Sequence, residues 1–153
     1  YTVTNNSGKD VDFYPTFELV TSSLEVVTAG DHISPTAYQV IAARHRKLNP
    51  FFRNPAKVSG KLLQGPDNDR ASAAVFRGFD REANALTVSV AGLSGEIAGV
   101  PNPIFDPQTP ESAENPRFFP LRKTLAITYD VPGDVRTRRL AAPIRRDKVW
   151  VMR

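Results

Sequence analysis

The sequence predicts a mainly β chain, an antiparallel β-sandwich of about seven to nine strands with one short helix over about residues 35–48. Three observations carry that reading. Thirteen prolines are spread through the 153 residues, and proline is confined to helix starts and to edge or bulged strand positions. Short alternating runs rich in β-branched residues recur between clusters of Gly, Pro, Asn and Asp, as expected of strands joined by tight turns. One segment alone has a helical period.

Taken in order, residues 1–5 alternate and meet a turn at residues 6–10. A second strand is expected over residues 11–20, with Pro15 implying a bulge or an edge position. Residues 24–28 give a shorter strand before Ala29-Gly30-Asp31. The helix follows: Ser34 can cap it, Pro35 suits its first position, and Pro50 stops it. Tyr38, Ile41, Ala42, His45 and Leu48 fall on one stripe, and Arg44, Arg46 and Lys47 favour its negative end. Further strands are expected over residues 56–63, 73–79 and 85–91, with Leu86, Val88 and Val90 facing the core. Residues 97–120, punctuated by six prolines, read as a long ordered loop with one short strand. Residues 121–129 form a strong strand, and Pro132-Gly133-Asp134 a turn. Residues 135–144 are expected to return antiparallel, and 148–153 to close the chain with Trp150 inward.

Composition bounds the function. The length suits a single domain over residues 1–153. The absence of cysteine excludes disulfides, thiol nucleophiles and thiolate zinc sites. No apolar run approaches the roughly 18 residues of a membrane-spanning helix, so no membrane insertion is expected. The chain starts at Tyr1 inside a strand-like run, and its one methionine is Met152. It therefore reads as excised or processed from a longer protein.

The segment Val3-Thr4-Asn5-Asn6-Ser7-Gly8-Lys9, followed by Phe13-Tyr14-Pro15-Thr16-Phe17-Glu18-Leu19, resembles bacterial extracytoplasmic Ig-like domains. There a V-x-N-x-[ST]-G strand and turn leads into the second strand. The resemblance is confined to this strand–turn–strand and transfers no site residue. It implies an Ig-like sandwich that serves as a non-catalytic accessory or protein-interaction module, in the periplasm or secreted. The cysteine pair and buried tryptophan of antibody domains are not matched.

Few constellations suggest chemistry. His32 and His45 are the two histidines, and no i,i+4 His pair exists for a metal. Gly92-Leu93-Ser94-Gly95-Glu96 departs from the G-x-S-x-G nucleophile elbow and reads as a turn. Gly65-Pro66-Asp67-Asn68-Asp69 gathers oxygen ligands but lacks the calcium-loop spacing. Glu18, Glu25, Asp80, Glu82 and Glu96 offer acids for a small hydrolase, with none distinguished. No catalytic, cofactor or metal residue is assigned. Between residues 117 and 153 stand ten Lys/Arg against three Asp/Glu. Arg122, Arg136, Arg138, Arg145 and Arg146 are therefore the candidates for an acidic ligand, either nucleic acid or an anionic polysaccharide. The favoured partner is another protein, met by an exposed sheet edge or by the proline-rich loop of residues 97–120.

Overall fold

The computed structural model describes every residue except residue 32. In chain order the strands are β1 (Thr2–Val3), β2 (Val11–Phe13), β3 (Thr16–Thr21), β4 (Val26–Thr28), β5 (Gly60–Leu62), β6 (Arg70–Ala71), β7 (Ala85–Ala91), β8 (Ile97–Pro101), β9 (Phe118–Asp130) and β10 (Ile144–Met152). Helix α1 (Pro35–Arg46) lies between β4 and β5. The mainly β class and the helix are as the sequence predicts. Ten strands replace the expected seven to nine, because short pairs at the N-terminal end form sheets of their own.

The main sheet is antiparallel in the order β10-β9-β7-β3-β4, and β8 pairs with the early part of β9. β7 is the strand read from residues 85–91, with the same bounds. Leu19 stands opposite both Val88 and Val27, and Val90 opposite both Phe17 and Leu125. These residues share one face by alternation, and Leu19, Val90 and Leu125 are buried there. Tyr1 lays its ring 4.7 Å from that of Phe17.

Two small ribbons, β1–β6 and β2–β5, stand apart from the main sheet. Around β2 and β5, Phe13, Val58 and Leu62 form one apolar cluster, joined by Val3, Val11 and Leu93. A second gathers Ala42 of α1 with Phe52 and Ala71. His45 stacks on Phe52 at 5.2 Å, the packing role its place on the helical stripe suggests.

Several boundaries differ from expectation. Residues 11–20 are two strands in different sheets, because Pro15 lacks the N–H a continuous ladder needs. α1 ends at Arg46, two residues before the expected end, and Leu48 is exposed. Asn49 precedes Pro50, which disfavours a helical conformation there, and its Oδ1 accepts the N–H of Phe51 (3.0 Å) instead. Residues 73–79 form no strand; Gly30 N–H donates to Val75 O (2.9 Å), and Gly78 turns the chain at φ 78°.

The N-terminal turn shows why the V-x-N-x-S-G pattern has its polar residues. Asn5 is 5% exposed. Its Nδ2 donates to Lys9 O (2.7 Å) and Leu62 O (3.0 Å), while its Oδ1 accepts from the Ser7 N–H (3.0 Å) and hydroxyl (2.8 Å). One amide thus closes the turn and ties it to β5. Asn5→Ala leaves the buried Leu62 O without its donor and is expected to cost about 1–3 kcal/mol in urea unfolding. A loss within error would show that water replaces the amide.

Candidate functional site

The structure disperses the five arginines. Arg145 stands opposite Tyr129 on β9, and Arg122 lies seven residues earlier on the same strand, roughly 23 Å away at about 3.3 Å per residue. By alternation the two point to opposite faces. Arg146 pairs with Asp130 (3.1 Å).

The segment from Val135 to Arg139 is not the expected antiparallel strand. It forms a turn and a short 3-10 helix, Arg138–Leu140, and the strand that returns along β9 is β10. Asp134 is the cause. Its Oδ1 accepts from the N–H of Arg136 (3.0 Å) and from the N–H and hydroxyl of Thr137 (both 2.9 Å). Arg138 then donates to Glu82 O (2.5 Å) and Gly133 O (2.8 Å), sewing the segment to a neighbouring turn. Arg136 and Arg138 therefore never share a strand face.

Thr137's hydrogen bonds, with help from the Arg136 N–H and the Arg138 charge, hold the Asp134 carboxyl below its ordinary pKa. A depressed folded-state value adds stability above the unfolded pKa of about 3.9, lost as pH falls through the folded value. Asp134→Asn should therefore shallow the acid decline of the urea midpoint below about pH 4. Parallel curves for the two proteins would remove Asp134 from the acid response.

The other candidates also stay apart. His32 lies outside the described residues. Gly92 to Glu96 is a turn between β7 and β8, where Glu96 pairs with Lys123 (2.6 Å) rather than a base. Glu18 pairs with Arg153 (2.6 Å). Asp80 accepts from Ser23 (2.8 Å) and from the Glu82 N–H (2.8 Å). Asp67 and Asp69 flank a 3-10 turn, and no group of three metal-liganding side chains converges among the described residues.

A cleft of about 520 Å³ opens between the N-terminal segment, the start of α1 and the β3–β4 edge. Tyr1, Phe17 and Tyr38 line it. Burial raises the pKa of both phenols, so they are neutral at pH 7, and the Tyr38 hydroxyl already donates to Arg53 O (2.7 Å). Among the described residues the lining supplies no acid–base pair.

The sheet's β10 edge has a different character. Trp150 stands opposite Leu125, on the apolar face as the sequence predicts, yet it is 49% exposed. The inward expectation fails because β10 ends the sheet and no further strand pairs with it among the described residues. Lys123 Nζ lies 5.9 Å from the Trp150 ring centroid. Val149, on the other face, is 42% exposed, and along the same wing Phe118 and Phe119 are exposed too.

Hydrogen-bond parity makes this edge specific. Arg122 and Arg153 exchange both backbone bonds (2.7 and 3.1 Å). Alternation along the antiparallel pair then turns the N–H and C=O of Val151, Val149 and Asp147 toward β9. Those of Met152, Trp150 and Lys148 point outward. The first half of β10 is defended by charge (Arg145, Arg146, Asp147, Lys148) and by a bulge between Arg145 and Asp147. Such devices discourage strand addition. From Val149 to Met152 the strand is regular and wholly apolar. Sequence reasoning missed this edge because it assigned Trp150 to the core; the run Val149-Trp150-Val151-Met152 was the available signal.

Comparison with known proteins finds no matching family model, no matching curated protein and no matching solved structure.

Proposed function

We propose that this chain is a non-catalytic protein-interaction module that takes a partner strand along the open edge of β10. The observation that carries the reading is the outward row of backbone groups on Lys148, Trp150 and Met152, flanked by exposed Trp150 and Val149. An unpaired strand edge binds an added strand through its main chain, while the alternate side chains set the preference. The Ig-like architecture, and an accessory role in an exported bacterial protein, belong to the same proposal. Their support is the N-terminal turn pattern, whose Asn5 and Ser7 make the bonds described above.

The acidic-ligand reading draws less support, since Arg138, Arg146 and Arg153 are engaged within the chain and Arg122 lies far from Arg145. A hydrolase reading draws none from the paired acids.

The test is site-specific photocrosslinking in the cells that produce the protein. A benzophenone side chain is placed at position 150 or, as a control, at exposed position 57 on the short 3-10 turn. A discrete adduct at 150 and not at 57, identified by mass spectrometry, is the expected result. Equal or no adduct at both positions would sink the interaction reading.

A further inference from the structure

We infer that the strand accepted by β10 is β10 of a second copy of this chain, paired antiparallel about Trp150. This rests on the interaction reading above and names the partner. The regular stretch begins at Asp147, just past the bulge, and runs to Arg153, which still exchanges backbone bonds with Arg122. Trp150, whose N–H and C=O already point outward, lies three residues from Asp147 and three from Arg153. A two-fold axis there sets Trp150 against its own mate and Lys148 against Met152 of the second copy. Trp150 and its mate can exchange two backbone bonds, and Lys148 and Met152 can do the same once Asp147 Oδ1 releases the Lys148 N–H it accepts.

The side chains agree with that register. Val149 falls opposite Val151 of the second copy, apolar against apolar. Asp147 falls opposite Arg153 of the second copy, and symmetry makes that pair twice. Asp147 makes no ion pair within its own chain among the described residues; its Oδ1 accepts only the adjacent Lys148 N–H (2.7 Å). Arg153 binds Glu18 through Nη2, and the guanidinium retains further donors for a second carboxylate. Neighbouring registers do worse. Centring on Lys148 opposes the two lysines, and centring on Val149 sets Asp147 against Val151. Like charges placed directly opposite across strands destabilise a pair, whereas opposite charges stabilise it. The charge pattern therefore selects one register and supplies the complementarity that identifies a second copy as occupant.

Pairing of one short strand buries less surface than a standard interface, so the dimer should be weak, populated between about 10 µM and 1 mM. Sedimentation velocity of the purified chain over that range is expected to show a monomer–dimer equilibrium. Asp147→Arg and Arg153→Asp, each alone, oppose like charges at both ends and should weaken the dimer roughly tenfold or more. An equimolar mixture of these two variants restores both opposite-charge pairs and should dimerise like the wild type. Circular dichroism of each variant confirms that it folds. A monomer throughout the range, or a dimer indifferent to the charge swaps, overturns the inference. If the purified chain is monomeric while position 150 crosslinks to a different protein, the interaction reading stands and only the second copy falls. If neither assay reports a partner, both fall.

Discussion

Leu19→Ala is expected to remove about 2–5 kcal/mol of stability, one of the two largest single losses in the chain. Leu19 is 2% exposed in β3, with Val88 and Val27 directly opposite on either side. The truncation forfeits the transfer free energy of the removed methyls and leaves a cavity in a sheet whose main-chain bonds hold the neighbours in place. The thermal midpoint should fall by roughly 10 °C for a chain of this size. The check is urea and thermal unfolding beside Leu24→Ala. Leu24 is 84% exposed in the turn between β3 and β4, so its truncation should cost little. Comparable losses at both positions would mean the apolar face of the main sheet is not the principal core.

Gly92→Ala should be as costly, for a different reason. Gly92 ends β7 at φ 83°, a conformation that side-chain-bearing residues adopt at a cost of about 1–2 kcal/mol. A Cβ there would also run into the Tyr14 carbonyl, part of the backbone that leads into β3. Backbone cannot swing aside as a flexible side chain can, so overpacking adds about 1–3 kcal/mol. Gly8→Ala is the control. Gly8 is also left-handed, at φ 84°, but nothing lies near its missing Cβ. Stability loss at Gly92 should therefore exceed that at Gly8 by the packing share alone. Equal losses would assign the whole effect to backbone strain.

Where a single residue's local chemistry settles the conformation, the sequence is a sound guide. Ser34 caps α1 by accepting the Ala37 N–H (3.1 Å), and Pro35 begins it. β7 was legible because Leu86, Val88 and Val90 alternate without a break. Gly133 at φ 100° makes the turn expected of a Pro-Gly-Asp run.

The errors fall where two locally acceptable structures compete. Residues 135–144 have strand-like composition, but the Asp134 carboxylate takes the N–H groups of Arg136 and Thr137, Arg138 ties the segment to Gly133 O and Glu82 O, and the chain turns instead. Pro15 signals an interruption. Which sheet each half of the segment joins depends on β5 and β7, far along the chain.

The candidate site divides along the same line. The sequence alone determined the mainly β class, the helix start, the alternation that puts Trp150 on the apolar face, and a surplus of arginine near the end. Those properties follow from φ/ψ preference, side-chain period and charge, all set within a few residues. Only the tertiary structure decided that β10 is the last strand of its sheet, that Trp150 is consequently half-exposed, and that the arginines are scattered. Strand order is fixed by pairings between distant segments, so a residue's face can be read locally, but whether anything covers that face cannot.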